Sequence, residues 1–323
     1  NAGLNDRNRR QKQKTPAAYG NYSELADQGI IAASGRTKAG QTLDEVKELL
    51  LAEMAKLRSG DFDEELIQAS VNNYKAQIMG YLDSNDGRAD MFVSSFIYNV
   101  PYAEMVSQVE RLSKITKQDV IDMANKYIGD DSYVVIYKRE GKDPNELKIE
   151  KPEITPIFTN RDTSSLMLRE IQAVEVKPIE PVFVDFDKDL TKLKAKSDTE
   201  MLYTQNKTNG LFTLNYVYET GANNDKAMRT AFNYLQYLGT SDMTPEQVQM
   251  EFYKLACSFW VSPGDERSYI ALNGLSENME AAMELLEKLI ADAQPNPEAL
   301  ENMKADILKS RADSKLDQNA NFS

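Results

Sequence analysis

The chain alternates between stretches of helical apolar spacing and short runs of β-branched and aromatic residues. Leu43, Val46, Leu49, Leu50, Met54 and Leu57 recur at three- and four-residue intervals, which predicts an amphipathic helix. Thr42 stands before it as N-cap with Glu45 three positions on, a capping box, and Gly60 supplies the stop. A second stripe, Ile67, Val71, Tyr74, Ile78 and Tyr81, predicts a helix starting near Asp63. Two shorter helices are expected after it, broken at Asp86-Gly87 and Pro101, then one capped by Thr116 and Asp119. Residues 29–33 and 132–138 read as strands.

Between Gly141 and Lys196 the pattern changes. Pro144, Pro152, Pro156, Pro178 and Pro181 punctuate a charged stretch without helical periodicity, so a linker with one or two extended segments is expected. Pattern returns at Met201. Residues 201–205 and 211–219 predict a hairpin around a turn at 206–210, with Phe212, Leu214, Tyr216 and Tyr218 on one face. Residues 226–238 read as a helix, and Thr244-Pro245-Glu246-Gln247 opens another. Residues 258–262 and 268–272 predict strands around Pro263-Gly264-Asp265. Ser276 is the expected cap of a helix through Ala293, with Met279, Ala282, Met283, Leu286 and Ile290 inward, and a last helix begins near Pro297.

One unit recurs. Thr42 to Leu66 and Ser276 to Leu300 each span 24 positions of cap, helix, short loop and second helix start, and each follows a predicted strand. Duplicated α+β domains are the expected architecture: two similar units, each a mostly antiparallel sheet with helices on one face, joined by an extended linker. The divisions expected are 1–140, 141–200 and 201–323, with sheet edges that stay open or pair with another copy.

Composition narrows the function classes. A hydrophobic fraction of 41% and a charged fraction of 28% suit a folded globular protein, and no run is long and apolar enough to span a membrane. A formal charge of -13 repels nucleic acid and anionic membranes. The early cluster Arg7, Arg9, Arg10, Lys12 and Lys14 lacks interleaved aromatics and reads as a solvated face. A lone cysteine, Cys257, allows no internal disulfide and reads as a buried small hydrophobe. The termini read as cut: there is no initiator Met or signal peptide, Asn1-Ala2 resembles a tag scar, and 317–323 ends without a cap.

The search for chemistry is governed by one inventory fact: the 323 residues include no histidine. Serine and cysteine triads and every histidine-ligated zinc site are excluded, and one cysteine excludes thiolate zinc sites. Carboxylate sites remain. Asp83, Asn85 and Gly87 echo a calcium loop, but Arg88 occupies the turn-glycine position. Asp61, Asp63, Glu64 and Glu65 read as loop and first-turn charges. Asp162-Thr163-Ser164 lacks the glycine of an aspartic-protease motif. The run from Gly35 to Thr42 matches a phosphate-binding loop at both glycines and at Thr42, but Gln41 replaces the required lysine. No catalytic, cofactor-binding or metal residue is therefore assigned.

Residues 40–77 and 115–140 resemble the later part of the second domain of insulinase/pitrilysin-like metallopeptidases. Residues 209–225, 235–259 and 272–291 resemble the third domain. The resemblance covers most of the chain from Gly29, the linker apart. It implies four similar α+β domains in two halves that close over an unfolded peptide. It further implies a zinc site in a first domain outside this chain, on an H-x-x-E-H helix with a downstream Glu. The motif Glu would serve there as general base on the metal-bound water. The third domain of that family usually keeps the fold and loses the motif. Counted back from Gly239-Thr240, the H, E and H positions fall on Thr230, Asn233 and Tyr234, none fit for zinc chemistry. The family's substrate-orienting Arg and Tyr belong to a fourth domain, which the resemblance does not reach. By resemblance, then, the chain is a non-catalytic internal part of a zinc metalloendopeptidase acting on peptides or unfolded polypeptides. It would supply chamber wall and hinge, with the remaining domains of the same chain as partners, and a periplasmic setting follows from the resemblance alone. Two alternatives stand: a non-catalytic scaffold or partner subunit of the same family, and an unrelated α+β protein-binding module.

Overall fold

A computed structural model describes residues 15, 17–25, 27–38, 40–129, 132–142, 147, 150–157, 159, 163–195, 197–317 and 319–320. The basic cluster between Arg7 and Lys14, Asn1-Ala2, residues 318 and 321–323, and Asp162 lie outside the described residues. The described residues up to Val135 group with those from Asn206 onward as one compact unit, and Ile136–Gln205 form a second. The class is α+β, and every strand pairing among the described residues is antiparallel.

The first unit opens with a hairpin, β1 (Ala17–Glu24) on β2 (Gly29–Arg36). Helix α1 (Leu43–Ser59) follows with the expected capping box, Thr42 accepting the Glu45 N–H while Glu45 accepts that of Thr42. It ends at Gly60, whose φ of 74° is open to glycine at low cost. A Cβ at Gly60 would also meet Ile121 Cδ1 at 2.7 Å, because α6 (Lys117–Tyr127) packs against α1 there. Arg58 donates to the carbonyl of Ile128, and Asn125 to that of Arg58, so the ends of these helices satisfy one another.

Helix α2 (Glu65–Tyr81) precedes α3 (Asn85–Ile97), α4 (Tyr102–Val106) and α5 (Gln108–Leu112). Asp86-Gly87 does not break the helix. Ser84 caps α3 through the Gly87 N–H, and a Cβ at Gly87 would lie 2.0 Å from the Tyr81 carbonyl, so the glycine serves close backbone approach.

The core is built on a three-stranded sheet of order β5 (Leu211–Tyr218), β7 (Ser268–Leu275), β6 (Cys257–Pro263), with β7 central. Phe212, Leu214, Tyr216 and Tyr218 share the expected face and pack on a cluster that includes Val248, Phe252, Ile270, Leu272, Leu286 and Leu289. The cluster draws on α9 (Pro245–Lys254) and α10 (Met279–Ala291), while α8 (Met228–Leu235) lends Phe232 and Leu235. The last helix, α11 (Pro297–Ser314), is capped by Asn296 with Pro297 at its first position. Helix α2 docks on α9: Asn73 Nδ2 donates to the Tyr253 carbonyl at 2.7 Å and Lys254 pairs with Glu65 at 2.6 Å.

In the second unit, α7 (Leu166–Gln172) is followed by β3 (Thr191–Lys194) paired with β4 (Glu200–Tyr203).

Five further expectations are corrected. Residues 132–138 form no strand: a strand exists through its ladder, and here Val134 and Ile136 stand 87% and 89% exposed without one. The hairpin expected of 201–205 with 211–219 is absent. Strand β5 instead pairs with β7, 50 to 64 positions away in sequence, because its apolar face is buried only on that sheet. The stretch 141–196 holds a helix after all, α7, nucleated by Ser165 accepting the Leu168 N–H. The helix expected over 226–238 is confined to α8. Finally, Ser276 makes no side-chain cap. A 3-10 turn, Ser276–Asn278, precedes α10, and Met279 at the first position of the helix is 39% exposed, while Ala282 and Leu286 are buried as expected and Leu289 joins them.

Candidate functional site

The positions that match the metallopeptidase motif lie on α8, beside the sheet. Thr230 is exposed, and Asn233 is half-buried with its carbonyl accepting from Gln236. Tyr234 is engaged: its hydroxyl donates to the Asn296 carbonyl at 2.6 Å and accepts the Asn296 N–H at 2.7 Å. The helix is short because Asp225 turns the chain just before it, accepting the Ala227 N–H. Two neutral hydroxyls and an amide do not fit a zinc ion, which takes imidazole, thiolate or carboxylate donors, and Asn233 has no proton-accepting side chain at neutral pH. No group of three or more Asp, Glu or Cys that would hold a metal occurs among the described residues.

The turn after α8 is fixed tightly. Gly239 bridges to Gln294, and a Cβ there would meet the Met243 carbonyl at 2.2 Å. Thr240 is buried and donates to Asp242, which also receives Lys288 at 2.6 Å. The Lys288 bond, then that of Thr240, holds the Asp242 carboxyl below its ordinary value. Asp292 is held low in the same way by the hydroxyl and N–H of Ser241. These carboxylates staple the turn to α10 and are not poised to take protons near neutral pH.

The remaining sequence candidates resolve into structural roles. At the loop resembling a phosphate site, Glu45 accepts the Thr42 N–H at 2.7 Å and the Thr42 hydroxyl at 3.0 Å. A carboxylate thus sits where a phosphate would need bare donors, and the same bonds lower its pKa. Ala39 of that loop lies outside the described residues. At the calcium-like turn, Arg88 reaches back to the Leu82 carbonyl and to Asn85 Oδ1, both at 2.5 Å, so a side-chain cation already fills the position. Asp63 accepts the Glu65 N–H, and Glu65 pairs with Lys254, so the charges around 61–65 organise a helix start and its dock on α9. Cys257 is buried, and desolvation pushes its thiol up to about 11, the reverse of an activated nucleophile.

One feature had no sequence signal. A cavity of about 260 Å³ lies between α2 and the sheet, with Asn73, Gln77, Thr213, Ser258 and Asn273 among its lining residues. Its lining carries no carboxylate or ammonium, and its one thiol, Cys257, is kept protonated by burial, so it offers hydrogen bonds but no acid or base poised near neutral pH. The residues come from four distant segments, which no local pattern links.

No family model matches the chain, and no curated protein sequence matches it. Among solved structures it is similar to a peptidase M16 inactive domain from Pseudomonas fluorescens, at TM-score 0.37 and 16% identity over 40% of this chain and 32% of that one. It is similar to the periplasmic protease PqqL from Escherichia coli, at TM-score 0.35 and 12% identity over 95% of this chain and 37% of that one. It is also similar to a mutant of the ferredoxin protease FusC in complex with Arabidopsis ferredoxin, at TM-score 0.38 and 10% identity, covering 98% and 38%. The chain therefore spans 32–38% of the length of these structures. Likenesses this low decide neither fold nor activity.

Proposed function

We propose that the chain is a non-catalytic part of a metallopeptidase-like protein that acts on peptides or unfolded polypeptides. Its role is to supply chamber wall and hinge. The observation that carries the reading is the fate of α8. The sequence around it resembles the third domain of insulinase/pitrilysin-like enzymes, yet the motif positions hold Thr230, Asn233 and Tyr234, and Tyr234 is consumed as a strut to Asn296. A helix retained for packing while its metal donors are gone is what a degenerate domain requires.

Zinc, in this reading, belongs to a first domain elsewhere in the same protein, where two imidazoles and a carboxylate would hold it and a Glu would activate its water. The division into a second-domain part (1–140), a linker (141–200) and a third-domain part (201–323) belongs to the same proposal, as does a periplasmic setting. The partners are a peptide substrate and the remaining domains. No helix among the described residues is long and apolar enough to cross a membrane.

A second reading, a scaffold or partner subunit that never cleaves, shares every feature of this chain. The two are separated by one experiment. Metal analysis and a quenched-peptide assay are run on this chain, and then on a protein that carries it behind an upstream H-x-x-E-H domain. The expected outcome is no stoichiometric zinc and no cleavage in the first, with chelator-sensitive cleavage in the second. Chelator-sensitive cleavage by this chain alone would end the non-catalytic reading, and an inert longer protein would favour the scaffold.

A further inference from the structure

The chain contains two Asn-Gly pairs, Asn209-Gly210 and Asn273-Gly274. Asn-Gly is the dipeptide in which the following backbone nitrogen meets least steric hindrance on its way to the asparagine side chain. The fold places the two pairs in opposite circumstances. Asn273-Gly274 lies in the central strand β7, where Gly274 is registered against Phe212 on one side and Cys257 on the other. Gly274 is buried, and a Cβ there would meet the Ala256 carbonyl and Cys257 Sγ at 2.5 Å. Asn209-Gly210 lies in the loop before β5, with both residues partly open to solvent.

The loop does more than expose the pair. Asn209 Oδ1 accepts the Leu211 N–H at 3.0 Å, which closes an Asx turn and lays the side-chain carbonyl over the Gly210 peptide. Asn206 Nδ2 donates to the same oxygen at 2.7 Å. Asn206 is itself held, accepting the Thr208 N–H at 3.0 Å and donating to the Leu211 carbonyl at 2.9 Å. Two donors thus converge on the oxygen that becomes an oxyanion when the amide carbon is attacked, the arrangement that stabilises tetrahedral intermediates of acyl transfer.

We propose that Asn209 is a self-modifying site, at which the Asn206 side chain and the Leu211 N–H promote cyclisation onto Gly210. The Gly210 nitrogen, losing its proton to solvent base, bonds to Asn209 Cγ. The Cγ–Nδ2 bond breaks and the nitrogen leaves as ammonia, having taken its extra proton from water. Water then opens the succinimide at either carbonyl, giving aspartate or isoaspartate at 209. No metal, oxidant or other protein is needed. The isoaspartyl product lengthens the backbone by one carbon immediately before β5, where the Gly210 carbonyl accepts the Ser276 N–H at 2.8 Å. The modification therefore loosens the junction at which β5 enters the sheet.

The test is timed incubation of the whole chain at mildly alkaline pH, followed by proteolysis and mass spectrometry of the peptides containing 209 and 273. An isoaspartyl methyltransferase assay runs in parallel. Folded, the chain should gain about one mass unit at 209 many times faster than at 273. In concentrated urea the two sites should convert at similar rates. Asn206→Ala should slow conversion at 209 several-fold in the folded chain and leave the rate in urea unchanged, with Trp260 fluorescence reporting that the variant is folded. Equal rates at the two sites in the folded chain, or an unchanged or faster rate at 209 in folded Asn206→Ala, would overturn the proposal.

Discussion

The Tyr234 hydroxyl both donates to the Asn296 carbonyl and accepts the Asn296 N–H, at 2.6 and 2.7 Å, so one phenol ties α8 to the residue that caps α11. Tyr234→Phe removes both bonds and leaves two backbone groups to find water in a half-buried place. The expected loss is about 1–3 kcal/mol of stability, read as a lower urea midpoint with unchanged m-value. A variant as stable as the parent would mean that the strut contributes nothing.

The helix caps make a matched comparison. Thr42 and Thr244 each accept the N–H three residues on, in complete capping boxes, whereas the Ser276 side chain caps nothing. Thr42→Ala and Thr244→Ala should each cost about 0.5–2 kcal/mol, and Ser276→Ala no more than about 0.5 kcal/mol. Thermal unfolding of the three variants checks the order, and a Ser276→Ala cost equal to the others would contradict the 3-10 turn before α10.

Cys257 should be inert in the folded protein. Its thiol is raised to about 11, chiefly by desolvation, so it stays protonated well past neutrality. A raised folded value stabilises below the unfolded thiol value of about 8.5, and that contribution is lost as pH climbs from there towards 11. Labelling with a thiol reagent at mildly alkaline pH should be slow until urea unfolds the chain. Fast labelling of the native state would show the thiol to be accessible.

Acid should loosen the turn after α8. Asp242 and Asp292 have carboxyls depressed by Lys288 and by Ser241, respectively. Groups depressed in the folded state stabilise above the unfolded aspartate value of about 3.9, and that contribution disappears as pH falls from there through the lower folded values. Asp292→Asn should therefore flatten the acid limb of a stability-against-pH profile. A limb of unchanged slope would place the acid sensitivity elsewhere.

Trypsin should cut first between Ile136 and Gln205, where Lys138, Lys142 and Lys188 are exposed outside any helix or strand and none is followed by proline. First cuts at Lys56 or Arg58, inside the capped α1, would contradict this order of accessibility.

Helices α1, α6, α9 and α11 were legible in the sequence because their causes are local. A cap, a Pro at the first position, a stop glycine and an apolar stripe all act within a few residues of one another. That no histidine-ligated zinc site can form within this chain was equally legible, because an inventory without histidine holds in any fold. Pairing was not legible. Residues 132–138 carry the composition of a strand and form none, and β5 passes over its neighbour in sequence to join β7. A ladder needs a partner whose distance along the chain leaves no periodic mark. The same holds for Met279, which the helical spacing places inward but which stands 39% exposed where a 3-10 turn leads into α10. Tyr234 combines both cases. Its unsuitability for zinc follows from its chemistry, but its bond to Asn296, 62 positions away, existed only once the α8 and α11 ends were brought together by the core between them.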